Sequence, residues 1–223
     1  TKSSAESISL SLFPGRHIKL LRTDFDRNMG EGIRNWTGRV EGFEDGFATL
    51  VYLKDRLIGH VQYGGESYRI TPRPDGVHVI SQLTLENLPD EASSLTMPKG
   101  GEEFRKISFQ PRPLAWSPRI RIAVFYTPAA RQEAINNSTV PGDEARLAVA
   151  MANSTYANSG MNGQRLKFAG FRSTYCGYDE DNGPYSQALI DFANPATCIG
   201  ARAANLRNSN SADMVALVRK SGG

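Results

Sequence analysis

Apolar and polar residues alternate in short runs through roughly the first eighty residues of the chain. Leu57–Tyr63 and Glu66–Thr71 are two such runs, and Gly64-Gly65 between them is typical of a tight hairpin turn. Asp-Gly pairs at positions 45–46 and 75–76 favour further turns of this kind. The pattern therefore predicts several short antiparallel strands that form a small sandwich or an open barrel.

The stretch Arg119–Thr127 has a different pattern. Its apolar side chains alternate at first, and from Ile122 to Tyr126 both faces are apolar. A strand that is apolar on both faces fits the centre of a covered sheet better than an edge. Pro118 and Pro128 mark its limits. We therefore expect the second half of the chain to begin with a central strand.

Helical and strand patterns alternate after this strand. Glu144–Ala157 has the apolar spacing of a helix, and Asp143 before it suits the N-cap position. The remaining predicted elements are a strand at 166–175, short helices at 185–193 and 198–207, and a strand at 214–218. This order predicts parallel strands with helices packed on the sheet.

Together these patterns predict an α+β chain with three parts. Residues 1–87 form an antiparallel β-rich domain, 88–118 form a linker rich in proline, glycine and charge, and 119–223 form an incomplete α/β domain of βαβαβ order. The apolar strand Met214–Val218 would leave an edge of that sheet uncovered. We therefore expect the domain to continue beyond this sequence or to be completed by another chain.

Charge and composition narrow the classes of function. The net charge of +3 is small and spread along the chain, and the basic residues between Arg112 and Arg121 are too sparse for a nucleic-acid surface. Apolar runs long enough to cross a membrane are also missing. We therefore expect neither a nucleic-acid partner nor a membrane partner.

Two cysteines, Cys176 and Cys198, lie close together in the second half. They are either buried free thiols or a disulfide, and the long polar turn region between them favours the disulfide. Closing such a loop stabilises a fold by about 3 kcal/mol through the entropy of the unfolded chain. A disulfide implies an oxidising compartment, so a secreted or periplasmic protein is expected. Further ligands at zinc-site spacing are not found near the two cysteines.

All three histidines, His17, His60 and His78, precede the second half. His60 and His78 lie within strand patterns. Their spacing does not indicate that they converge on a metal ion, so the interpretation is structural.

Several stretches of the second half resemble one enzyme family. They are Ile120–Ala130, Ala148–Gly160, Leu166–Phe168 and Ala212–Val218. They resemble the start of the catalytic domain of metzincin zinc endopeptidases, and are most similar to the reprolysin-like bacterial group that includes peptidyl-Asp metallopeptidases. The first half, most visibly Tyr68–His78, resembles the β-rich propeptide of such enzymes.

This resemblance implies the zymogen portion of an exported zinc endopeptidase. Such an enzyme hydrolyses peptide bonds in protein or peptide substrates by metal-activated water, and its propeptide acts as inhibitor and folding aid. The second half would then be an incomplete metzincin-type catalytic subdomain, with the remainder of the catalytic domain as its partner.

The zinc motif of the family, His-Glu-x-x-His-x-x-Gly-x-x-His, does not occur in this sequence. The sequence therefore assigns no catalytic, cofactor-binding or metal-binding residue. Zinc is expected only for the full-length enzyme, and this chain alone should be inactive. Because no cysteine precedes Cys176, a propeptide cysteine that binds the zinc is excluded in this chain. An aspartate in that role stays open, and Asp24, Asp45 and Asp90 are the candidates.

Two other hypotheses of function are alternatives to the zymogen hypothesis. The first is a non-enzymatic protein-binding module whose β-rich half docks a partner. The second is a hydrolase using serine or aspartate, which is disfavoured because the chain has no Gly-x-Ser-x-Gly elbow and no histidine in its second half.

Overall fold

A computed structural model describes residues 5–26, 33–53, 55–73, 75–84, 119–137, 139–161, 166–173, 176, 178–179 and 185–220. The predicted linker at 88–118 lies outside the described residues, so the division into parts at 1–87, 88–118 and 119–223 stays a prediction.

The first half forms one antiparallel sheet of seven strands. Each strand pairs with the next along the chain, and the sheet curves into a half-barrel. The strands are β1 (Ser7–Phe13), β2 (Arg16–Asp26), β3 (Ile33–Val40), β4 (Phe47–Leu53), β5 (Arg56–Tyr63), β6 (Glu66–Pro72) and β7 (His78–Leu83). Gly64 and Gly65 between β5 and β6 have φ of 57° and 76°, which a two-residue hairpin turn of this hand requires.

Alternate residues of these strands fill one face of the sheet. The buried cluster on that face includes Leu20, Trp36, Leu50, Val61 and Tyr68. Each such aliphatic side chain contributes about 1.5–3 kcal/mol by leaving water. The half-barrel therefore has a hydrophobic core of its own.

The second half contains a sheet of three parallel strands. The strand β8 (Ile120–Tyr126) lies in the middle, between β9 (Leu166–Ser173) and β10 (Met214–Val218). The predicted central position of this stretch is thus confirmed. Phe125 is buried on one face and Tyr126 on the other, which explains why the strand is apolar on both sides.

Four helices accompany this sheet in the part of the chain that the structure describes. They are α1 (Pro128–Asn136), α2 (Pro141–Asn158), α3 (Tyr185–Ala193) and α4 (Cys198–Ser209). None of the four combines the length and the apolar character that a membrane crossing needs.

Helix starts differ from those expected in two places. The helix α1 was not predicted: the Thr127 hydroxyl accepts a hydrogen bond from the Ala130 N–H, and Pro128 takes the first helical position, where its missing N–H costs nothing. The N-cap assigned to Asp143 is wrong, because α2 already begins at Pro141. Asp143 is instead a buried residue of the first turn.

The predicted fold class is wrong. Among the described residues 46% are in strands and 29% in helices, so the chain is mostly β, and its second half is not an α/β metzincin-type arrangement. The physical reason lies in α2, whose Leu147 and Ala150 pack against Val51, Leu53 and Ile58 of the seven-stranded sheet. The sequence pattern had assigned the apolar face of this helix entirely to its own sheet.

Candidate functional site

A row of polar side chains crosses five strands of the large sheet. Cross-strand pairing places Thr37, Thr49, His60, Arg69 and Ser81 next to one another on β3 to β7. Residues paired in register lie on the same face of a sheet. We call these five residues the polar row, and its face is the one that receives α2.

At one end of the polar row, α2 contacts the sheet through a buried hydroxyl cluster. The Ser154 hydroxyl lies 3.3 Å from that of Thr37 and 3.4 Å from that of Thr49. It also donates a hydrogen bond to the Ala150 carbonyl at 3.0 Å. Three buried hydroxyls thus satisfy one another where the helix crosses the sheet, which fixes the position of the helix.

Charges also join the first turn of α2 to the large sheet. Arg69 forms an ion pair with Glu144. Arg56 lies 3.0 Å from the Asp143 carboxylate, and Arg146 approaches the same carboxylate at 3.4 Å. The side chain of Asp143 is only 3% exposed.

Burial sets the ionisation of these groups. It raises the pKa of Asp143, against the opposing effect of Arg56 and Arg146. Burial likewise lowers the pKa of Arg146, whose guanidinium lies 4.9 Å from the centre of the Phe168 ring. Two cations thus surround one desolvated carboxylate, so the contact between α2 and the large sheet depends on charge as well as on apolar packing.

Tyr126 connects the small sheet to the start of α2. Its hydroxyl donates a hydrogen bond of 2.6 Å to the Pro141 carbonyl. Burial raises the pKa of Tyr126, and Glu144 adds to the effect. The phenol is therefore a neutral donor at physiological pH that anchors the first turn of the helix.

A cavity of about 560 Å³ lies between the two sheets, beneath α2. His60 and Arg69 of the polar row line it on one side, and Ile122, Val124 and Val218 of the small sheet line it on another. Three alanines of α2 also line it, at positions 145, 148 and 152. Their small side chains leave the space open above the polar row.

A second cavity, of about 470 Å³, adjoins the first. The two share Arg69, Leu83 and Glu144. The second one is otherwise mostly polar and adds, among others, Thr71, Arg73 and Ser81. An apolar chamber and a polar vestibule thus meet at Arg69.

The three histidines have separate local roles. His17 Nδ1 lies 2.9 Å from the Ser11 hydroxyl, and His78 Nε2 accepts a hydrogen bond from the Leu57 N–H at 3.1 Å. His60 faces the cavity, where burial and the nearby Arg69 lower its pKa. The structure does not bring them together.

The described residues do not fit a zinc ion. Within the described ranges, no three His, Cys, Asp or Glu side chains come close enough to hold a metal. Asp24 and Asp45 are both exposed, and Asp90 lies outside the described residues. We therefore derive no catalytic step through zinc from this chain.

The two cysteines are joined. Cys176 and Cys198 form a disulfide that closes a separation of 22 residues, ending at the first residue of α4.

No protein-family model matches the sequence, and no curated protein is significantly similar to it. The metzincin resemblance therefore stays a prediction. The functional proposal therefore rests on the contact between α2 and the large sheet.

Sequence reasoning missed most of this contact. Arg69 belongs to the stretch that resembled a propeptide, but nothing indicated its partner. Asp143 and Glu144 suggested only a favourable helix start, since acidic residues are common there. The available signal was the register of consecutive hairpins, which aligns Thr49, His60 and Arg69 once the turns are placed.

Proposed function

We propose that this chain is the propeptide, together with the first part of the catalytic domain, of an exported zinc endopeptidase. The first half acts as inhibitor and folding aid by holding the second half. The substrates are proteins or peptides, the zinc ligands lie outside this sequence, and this chain alone has no peptidase activity.

One observation carries the proposal: α2 of the second half is docked on the sheet of the first. Leu147 is 5% exposed and packs among Val51, Leu53 and Ile58. A propeptide must bind the enzyme part that it restrains, and a buried apolar contact supplies the affinity. The surrounding ion pairs of Arg56 and Arg69 supply orientation.

The same contact supports a role in folding. The large sheet has its own core and presents the polar row as a preformed surface. The helix α2, by contrast, needs both sheets to bury its two sides, through Leu147 toward the large sheet and Ala145 toward the small one. A stable first half therefore gives the second half a template.

Export is supported by the disulfide of Cys176 and Cys198. Such bonds persist in oxidising compartments and are rare in the cytosol.

The docking test uses a protease site inserted between residues 88 and 118. After cleavage, the two pieces should still elute together in gel filtration. The variant Leu147→Asp should make them separate, because it places an unpaired charge in the apolar contact. The control Leu189→Asp changes an exposed leucine of α3 and should leave them together. Pieces that separate without any substitution would refute the docking role.

The enzymatic part has its own test. Residues 1–223 with added zinc should not cleave casein, whereas the product of the complete gene should. Zinc-dependent cleavage by residues 1–223 alone would refute the proposal that the zinc ligands lie outside this sequence. A gene without His-Glu-x-x-His-x-x-Gly-x-x-His after Gly223 would favour a protein-binding module.

A further inference from the structure

The cavity beneath α2 has the size and composition of a ligand site. Its volume of about 560 Å³ falls within the roughly 300–1,000 Å³ of small-molecule pockets, which are mostly apolar with a few convergent polar groups. Its apolar walls come mainly from α2, β8 and β10, with Leu83 of β7 and Leu166 of β9. Its polar groups include His60 and Arg69 of the large sheet and Glu144 of α2, and the last two also line the vestibule.

Arg69 is the group that decides what the head of a ligand would be. One of its terminal nitrogens is taken by Glu144. Its Nε–H is buried and has no acceptor among the described residues. The Arg69 side chain is nevertheless 36% exposed and lines both the cavity and the vestibule, so a ligand can reach the guanidinium, and a carboxylate is the acceptor whose geometry matches it.

The neighbours of Arg69 set the charge that an entering head group meets. His60 is next to it in the polar row, and burial lowers its pKa, so it adds no positive charge at physiological pH. Its side chain is hydrogen-bonded to Gln62, so its one N–H does not serve as a donor to the ligand. Arg73 lines the vestibule and lies 3.9 Å from the exposed Asp75 carboxylate, and the lining of the two cavities itself carries two arginines against one glutamate.

We propose that this cavity binds a free aliphatic monocarboxylic acid, with its carboxylate at Arg69 and its alkyl chain between α2 and the small sheet. The alkyl chain would contact Val124, Ala148 and Val218, which replace water around it. This inference does not depend on the proposed peptidase function.

Decanoate below its micelle concentration is the probe, with binding to the whole chain measured by isothermal titration calorimetry. Decanol provides the same chain without the acid, and acetate provides the acid without the chain. We expect saturable binding of decanoate, binding of decanol that is weaker by about tenfold or more, and no measurable binding of acetate. Equal affinity for decanol and decanoate, or no binding of decanoate, overturns the proposal.

Two variants locate the site. Ala148→Phe fills the cavity from a solvent-accessible position of α2 and should abolish decanoate binding. Its matched control, Ala157→Phe, adds the same side chain at an exposed position of the same helix outside the cavity, and should leave binding unchanged. Equal effects of the two variants would refute the location.

A third variant tests the head group. Arg69→Gln should remove the preference for decanoate over decanol. Arg39→Gln, at an exposed arginine of the same sheet that lines neither cavity, should keep it. Retention of the preference in Arg69→Gln would overturn the assignment of the carboxylate. A decapeptide amide of apolar residues that binds in place of decanoate would also overturn it, in favour of a peptide site.

Discussion

Leu147 gives the sharpest test of how the two sheets are joined. Leu147→Ala removes three carbon atoms from a side chain that is 5% exposed. At about 0.8 kcal/mol per buried methylene, the lost burial alone is about 2.4 kcal/mol. The space left behind adds to this, and buried Leu→Ala changes cost about 2–5 kcal/mol in total. We expect a loss of about 3–4 kcal/mol in the free energy of unfolding.

Burial of Leu147 against any part of the protein would give a loss of that size. A double-mutant cycle is therefore needed to identify the residues that Leu147 contacts. Ile58 is 1% exposed and lies in the same cluster on the large sheet. Leu147→Ala and Ile58→Val should therefore be coupled by about 0.5 kcal/mol or more, the size typical of residues in contact.

Urea unfolding followed by circular dichroism measures both quantities. Leu189→Ala, at a 43% exposed leucine of α3, is the control and should change stability by no more than about 0.5 kcal/mol. Two additive effects for Leu147 and Ile58, within about 0.3 kcal/mol, would refute the packing of α2 on the large sheet.

Three further predictions concern charge, the disulfide and one glycine. Burial raises the pKa of Asp143 above its value in the unfolded chain, so the stability it contributes is full below about pH 3.9 and is lost as pH rises through the folded pKa. The difference in unfolding free energy between the wild type and Asp143→Asn should therefore fall with rising pH, and a rise would contradict this. Reduction of the bond between Cys176 and Cys198 should lower stability by about 3 kcal/mol in urea unfolding, with no effect of reductant on the double serine variant. Gly200→Ala would place its Cβ 1.9 Å from the Asn194 carbonyl oxygen; the melting temperature should fall, although alanine usually stabilises a helix by about 1 kcal/mol relative to glycine.

Local patterns predicted the strands well, because alternation and turn residues are properties of neighbouring positions. The central place of Ile120–Tyr126 followed from its two apolar faces. The start of α1 was missed because Pro128 was read as a breaker, although proline also begins helices.

The contact between α2 and the large sheet could not be predicted in the same way. Thr49, His60 and Arg69 lie on three different strands, and each alternates along its strand with residues that face the core. This pattern resembles that of a solvent-facing side. Polar residues of this kind normally indicate water as the partner. Here a helix from the other half covers them and supplies Ser154 and Glu144 in return. The alternation of polar and apolar residues along a strand does not show which distant segment of the chain will cover its polar face.

The way the two sheets are connected also sets an order in time. Every pair of strands in the large sheet joins neighbours along the chain. The small sheet instead depends on distant contacts, such as that between Arg121 and Asp213, which are 92 positions apart. Local pairs form fast and distant pairs slowly. As the chain leaves the ribosome, the surface that receives α2 is complete at Leu83, before the first residue of that helix has been made.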